Sequence, residues 1–208
     1  MGGEYPKSLL NNGTPTASGI SPGLISFLPL QTTRLTIREF QLVDSPQLFR
    51  LHRDFRATRY AGGTRTQEQS FQSLCRIIKK TRDTGFGTLA VQLRATGEVL
   101  GWIGVQQIVG RTSFELLYAL KPTAWGSGFA TEASTNLVEL VFQLPKPRIS
   151  ALFGIVYPQN LASIRVLEKL GMRLQGYYMD EPTQRHACLY CLTKREFTRN
   201  EYCESSAR

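Results

Sequence analysis

Two short stretches of the chain carry residue types suited to holding an anion. In YALKPTAWGSGFATEA, an apolar run passes through Lys121 and Pro122 into a turn containing Gly126 and Gly128, and a helical pattern starts directly behind it. A helix start exposes main-chain N–H groups that have no acceptor inside the helix, and it carries the positive end of the helix dipole. Such a turn therefore suits a phosphate or pyrophosphate. Gly126 and Gly128 have no Cβ and Ala130 has only a methyl group, so a ligand can approach the main chain there. A G-x-G before a helix also occurs simply to make a turn, and that reading stays open. In YPQNLASIRVLEKLGM, Asn160 and Ser163 stand one turn apart at the start of an amphipathic pattern. Asn160 is equally suited to being a plain N-cap, and Ser163 to capping or facing solvent.

The surrounding periodicity predicts the elements that position these stretches. RLTIREF, with Leu35, Ile37 and Phe40 alternating imperfectly with Arg34, Thr36 and Arg38, reads as a half-buried first strand. Asp44 or Ser45 then caps a short helix with Pro46 in its first turn and Leu48, Phe49 and His52 along it. A Gly-rich loop through Tyr60, Gly62 and Gly63 follows. Thr66 and Gln69 fit a capping box, and Phe71, Leu74, Cys75 and Ile78 keep helical spacing up to Gly85. From there the period changes to two, through GTLAVQLRA, a turn at Thr96 and Gly97, EVLGWIGVQQI, a turn near Gly110, and SFELLYAL. This reads as a three-strand antiparallel meander with Trp102 alternating into its core. Ala130, Ala133, Leu137 and Val141 mark a helix ending before Pro145, and RISALFGIVY is a buried strand. A further helix carries Ile164, Leu167 and Leu170 to a stop at Gly171, ahead of strands around Met172 to Met179 and His186 to Thr193. The fold class is α+β (mixed α/β), with about seven strands, about four helices and no repeats.

The 208 residues, 41% of them hydrophobic, suffice for one sizeable core. The expected organisation is a flexible arm over 1–30, a domain over 31–198 and a tail over 199–208. Lys and Arg number 25 against 16 Asp and Glu, giving +9, which suits an acidic ligand, a phosphorylated cofactor or a nucleic acid. The arginines are spread from Arg34 to Arg208 rather than gathered on one face, which argues against nucleic-acid binding as the main function. Cys188 and Cys191 form a C-x-x-C on a strand pattern, where residues three apart face opposite sides, so they read as packing residues and no metal site is expected. His52 and His186 lack motif partners and read as structural. With neither a signal-peptide pattern nor a membrane-length apolar run, the expected location is cytoplasmic, without a membrane partner.

Taken together, the two anion-suited stretches resemble the signatures of the GNAT superfamily of N-acetyltransferases, and within it the RimJ/RimL branch. Trp125-Gly126-Ser127-Gly128-Phe129-Ala130 is similar to the family's Gln/Arg-x-x-Gly-x-Gly/Ala except at the first position, and NLASIRVLEKLGM is similar to the branch's second signature. The resemblance covers about Thr32 to Phe197. It implies the GNAT fold, a central twisted, mostly antiparallel sheet whose strands splay at the acetyl-CoA site. It also implies acetyl-CoA as co-substrate, with its pyrophosphate on the main chain of Trp125, Gly126, Ser127, Gly128, Phe129, Ala130 and Thr131. Pantetheine would then bond near Tyr118 and Leu120, and Asn160 and Ser163 would hold the cofactor arm.

The implied reaction is direct attack of a neutral amine on the thioester, without a metal. Position and resemblance together point to Glu115 as the general base, because it interrupts the apolar strand FELLYAL just before the turn; pairing with an arginine or facing solvent is the other reading. Many family members place a Tyr seven residues after the motif asparagine to protonate the thiolate, and Leu167 stands there instead. Ser163 or water is then the acid, with Tyr157 a weaker alternative. The partners implied are acetyl-CoA and an amine acceptor, a protein N-terminus or a small molecule, with the chain a monomer or homodimer. A CoA-binding sensor or scaffold without transferase activity is the competing reading.

Overall fold

Alternating apolar positions form strands and 3.6-spaced positions form helices, in the order the sequence sets out. In the computed structural model, residues 23–108, 113–180 and 185–198 are described. The turn expected near Gly110, most of the arm and the tail over 199–208 lie outside them. The strands are β1 (Leu30–Gln31), β2 (Leu35–Arg38), β3 (Gly87–Leu93), β4 (Val99–Gln107), β5 (Phe114–Leu120), β6 (Ala151–Val156), β7 (Arg173–Asp180) and β8 (Arg185–Thr193). The helices are α1 (Ser45–His52), α2 (Phe55–Thr58), α3 (Gln67–Thr84), α4 (Phe129–Gln143) and α5 (Leu161–Lys169), and residues 194–198 are also helical.

The described residues divide into two compact units, a larger one comprising 23–106 and 117–147 and a smaller one comprising 107–108, 113–116, 148–180 and 185–198. β5 passes from the smaller into the larger. Strand neighbours in the larger unit run β1-β2-β3-β4-β5 and in the smaller β5-β6-β8-β7. β1 pairs with β2 as Leu30↔Ile37 and Gln31↔Thr36, an eighth strand too short to leave a periodic signal. Its entry is docked: Leu24 is fully buried, and the Ile25 N–H donates to the Gly85 carbonyl at 3.3 Å.

In the larger unit, Phe40, Leu48, Leu74, Ala90 and Val99 form a cluster joined by Trp102, with α1 packed on α3 and α3 on β3. The ladder register puts Leu35, Ile37, Leu89, Val91 and Ile103, all fully buried, on the sheet's other face, and α4 lies against β2. α3 opens on the expected capping box, Thr66 accepting from Gln69 N–H and Gln69 from Thr66 N–H, and closes at left-handed Gly85. At α1 the expected cap is different: Asp44 holds the N-cap position, yet its carboxylate makes no cap bond. It is buried and takes two guanidinium bonds from Arg38, both 2.8 Å, and the Gln41 N–H. Burial alone would push its acidity the other way, but these donors hold Asp44 below the ordinary carboxylate value. The loop before α3 contains α2, nucleated by Asp54 accepting from Arg56 N–H at 2.9 Å.

In the smaller unit, Phe153, Leu189 and Ile108 form a second cluster with Ala151, Ile155 and Cys191. β5 and β6 run parallel as Phe114↔Leu152 and Glu115↔Phe153. β6 continues three residues beyond that last pair, with Gly154↔Tyr190, Ile155↔Leu189 and Val156↔Cys188 held by β8. Burial pushes the Cys191 thiol up to about 11, assisted by Glu196, and raises that of Cys188, so both stay protonated packing groups. Among the described residues no cluster of His, Cys, Asp and Glu is suited to a metal, and no helix is long and apolar enough to cross a membrane.

His52 is a buried structural node. Its Nε2 lies 3.3 Å from Arg65 Nη1, a permanent donor, so Nε2 accepts and Nδ1 carries the proton toward Ser70 Oγ at 2.9 Å. Arg65 also donates to Ser73 Oγ at 2.8 Å. Burial and then the Arg65 charge lower the His52 pKa from 6.5 to about 4. The native state therefore refuses a proton that the unfolded chain accepts, and stability falls as pH drops from 6.5 toward 4, by up to about 3 kcal/mol. Urea unfolding across that window should show a steeper loss for the wild type than for His52→Gln. Parallel curves would refute the assignment.

Candidate active site

Helix α4 begins without a side-chain cap. Its N-cap is Gly128, left-handed at φ 78° and ψ 1°, and Gly126 also has a positive φ, 74°. L side chains rarely adopt this conformation, which accounts for glycine at both positions. Because Gly128 has no side chain to fold back, the N–H groups of Phe129, Ala130 and Thr131 are left without acceptors inside the helix. A Cβ on Gly126 would meet nothing within 4 Å, and one on Gly128 would come 3.5 Å from Arg34 Nη2. Residues 125–128 are all exposed. The result is an open cradle of main-chain donors at a positive helix end, a fit for a phosphate or pyrophosphate.

The turn is fixed at its front by Trp125, whose ring is half-exposed while Nε1–H donates to the Leu120 carbonyl at 2.7 Å. Within the main-chain stretch expected to meet pantetheine, the Leu120 carbonyl thus already accepts the indole. Tyr118, on the same strand, is half-buried. Behind the turn, Glu132 in the first turn of α4 accepts from Thr32 Oγ1, Arg34 N–H and Arg34 Nε, and Arg34 Nη1 donates to the Ser127 carbonyl at 2.9 Å. Burial pushes Glu132 up, but these three donors outweigh it and keep the carboxyl below its ordinary value. Thr32, Arg34 and Glu132 were not expected at the site. Glu132 is about a hundred positions from Thr32 and Arg34 in sequence, so no local spacing marks the three; an acidic residue in a helix first turn is the one available hint.

The remaining expected residues belong to the smaller unit. Glu115 is half-buried on β5 between buried Phe114 and Leu116, beside Phe153 in the parallel ladder. Asn160 is the N-cap of α5, its Oδ1 accepting from Ser163 N–H at 3.3 Å, and Ser163 is half-buried in the first turn. Asn160 and Ser163 are thus brought together by a cap. Leu167 is fully packed: its methyl carbons lie 2.9 and 3.0 Å from where a Cβ on Gly154 would stand, so the glycine in β6 makes room for it. Tyr157 donates its phenol to Asp180 at 2.7 Å, with the Arg185 guanidinium 4.1 Å above its ring.

Residues 34–173 match the Acetyltransferase (GNAT) domain family. The chain belongs to the GNAT acetyltransferase family. A 178-residue stretch is 30% identical to the uncharacterized N-acetyltransferase p20 of Bacillus licheniformis, covering 81% of this chain and 97% of that one. The fold is similar to a GNAT-family acetyltransferase from Bacillus anthracis, with TM-score 0.71 and 23% identity over 80% of this chain and 99% of that one. It is also similar to Mycobacterium smegmatis RimJ, solved in complex with CoA-disulfide, with TM-score 0.65 and 17% identity over 78% and 83% of the two chains. The GNAT fold with its mostly antiparallel open sheet is as expected, whereas the likeness to RimJ is one of fold.

Gly126 tests the turn's geometry apart from any ligand, since there is space above it and only the backbone resists a side chain. Gly126→Ala should lower the unfolding free energy by about 1 kcal/mol, the usual cost of a left-handed alanine, in urea denaturation. An unchanged midpoint would mean the turn is not held in this conformation in solution.

Proposed function

We propose that this GNAT protein moves the acetyl group of acetyl-CoA to a primary amine, with the main chain of Trp125 to Thr131 holding the pyrophosphate. The observation that carries this reading is the uncapped, left-handed start of α4, whose orphan donors call for an anion. The resident Trp125–Leu120 bond keeps that turn in place beside the end of β5. Asn160 and Ser163, joined at the start of α5, are assigned to the cofactor arm, with Tyr118 and Leu120 for pantetheine.

The thioester supplies an activated acyl carbon. The acceptor arrives as an ammonium and gives one proton to Glu115, directly or through water. Its nitrogen then bonds to the carbonyl carbon as the C–S bond breaks, the second nitrogen proton leaves to solvent, and the thiolate is protonated by Ser163 or water. Glu115 suits the base because it is a half-buried carboxylate on an otherwise largely apolar strand, and partial burial limits its hydration. The commitment of the Tyr157 phenol to Asp180 favours Ser163 or water over Tyr157 as the acid.

For the acceptor, the resemblance to RimJ/RimL supports a protein N-terminus. A net charge of +9 opposes the approach of a polyamine and favours a neutral or acidic amine. The packed Leu167 at the usual tyrosine position favours, as the second reading, a CoA-binding sensor that does not turn over.

Calorimetry with acetyl-CoA separates these. Wild type should bind, and Gly128→Glu, which places a strained anionic side chain on the turn, should not. With an amine acceptor, Glu115→Gln should lower kcat by about a hundredfold or more while acetyl-CoA affinity holds. Binding without acetylation of any amine would select the sensor, and no binding by the wild type would end both readings.

A further inference from the structure

The anion cradle at α4 depends on a residue from outside its own segment. Arg34, immediately before β2, is tied to α4 twice by Glu132, through its main-chain N–H to Oε1 at 2.8 Å and its Nε to Oε2 at 2.7 Å. Thr32 adds a third bond to the same carboxylate at 2.5 Å. The other end of the guanidinium reaches the turn: Nη1 donates to the Ser127 carbonyl at 2.9 Å, the plane lies 4.4 Å over the Phe129 ring, and Nη2 stands beside Gly128. One planar group thus touches the helix's acidic residue and three successive residues of the turn.

Two consequences follow from that geometry. The Ser127 carbonyl immediately precedes Gly128, so drawing it toward Arg34 fixes the peptide that sets the left-handed φ and therefore the direction of the N–H groups that follow. The Arg34 charge is also already compensated by Glu132, whose side chain is mostly buried, so the guanidinium contributes shape more than free positive charge.

We infer that Arg34 is a positioning residue for the cofactor turn, holding the Ser127 peptide so that the first-turn N–H groups of α4 converge on one anion, with Glu132 as its anchor. The assignment of acetyl-CoA as that anion's carrier rests on the proposed function; the ordering of the turn does not. Lysine lacks the fork needed to reach Glu132 and Ser127 together, so charge and shape are separable at this position.

The test compares wild type, Arg34→Ala, Arg34→Lys and Glu132→Gln by acetyl-CoA affinity and by amide hydrogen exchange at position 132, whose N–H closes the turn on the Gly128 carbonyl at 3.0 Å. All three variants should exchange faster at the turn and bind acetyl-CoA about tenfold more weakly or worse, the scale of losing charge-assisted bonds. The kinetic effect should fall on the KM for acetyl-CoA rather than on kcat, and Arg34→Ala/Glu132→Gln should be little worse than either single change. Full rescue by Arg34→Lys would overturn the inference in favour of simple charge. Weakened binding with unaltered exchange would overturn it in favour of direct ligand contact, and altered exchange with unaltered affinity would show the ordering to be irrelevant to binding. If wild type fails to bind acetyl-CoA, the proposed function falls, and the exchange comparison alone decides whether Arg34 orders the turn.

Discussion

Main-chain donors at the start of a helix must find acceptors, and in this protein the start of α4 leaves that requirement to something other than its own side chains. A serine or aspartate at position 128 would fold back and satisfy the helix, ending its capacity to bind. Glycine there does the opposite. It accepts the left-handed conformation that turns the chain, contributes no cap, and exposes the donors to the surface. Much of the larger unit serves to hold that unsatisfied end still, since a mobile turn would find solvent acceptors in many orientations and present no defined site. Trp125 ties its front to Leu120, Arg34 and Glu132 tie its back to β2, and the buried residues of α4 anchor the helix behind it.

Apart from the buried Thr81 and Ser134 hydroxyls, which have no hydrogen-bond partner, the same unit gathers its buried polar chemistry in a few bonded nodes. Asp44 with Arg38, Glu132 with Arg34 and Thr32, and His52 with Ser70 and Arg65 each link a strand or helix to a loop. In each case a buried or partly buried charge or ring is matched by directed donors rather than left to water, which makes the geometry specific. Their net contribution to stability is smaller than their number suggests, because desolvation offsets much of the attraction. Their effect is to define where loops leave the core.

Periodicity and glycine placement made the framework legible from sequence. The capping box at Thr66, the stop at Gly85, the meander strands and both helices behind the signature stretches stand where their apolar spacing puts them. β1 and α2 were missed because two- and four-residue elements are shorter than any period. Asp44 stands at the N-cap position its residue type suits, but its carboxylate turns to Arg38 on β2, a partner that cap spacing does not mark. Within the candidate site, Gly126, Gly128 and Asn160 were legible because their roles are local, involving their own φ or a bond three residues away. Arg34 and Glu132 were not, since nothing within a turn's length connects a strand's first arginine to a helix about a hundred positions later.

Leu167 stands where the family resemblance implies a tyrosine, and the structure uses it for packing. A tyrosine at that point would bring a hydroxyl that needs either water or a reaction partner. Leucine instead sits against β6 in the space Gly154 leaves, nearly shut off from solvent. Apolar packing there stabilises α5 on the sheet by about 1.5–3 kcal/mol, the worth of a buried leucine, in place of a polar group that would have to remain reachable. The helix is therefore packed at the position where the family resemblance implies a tyrosine. On the proposed mechanism, thiolate protonation would pass to Ser163 in the first turn of α5, or to water. CoA thiolate is a good enough leaving group that expulsion need not be matched by a dedicated tyrosine, whereas removal of the amine proton has no such substitute. On the mechanism proposed above, the catalytic demand would accordingly fall on the carboxylate of Glu115, half-buried on β5.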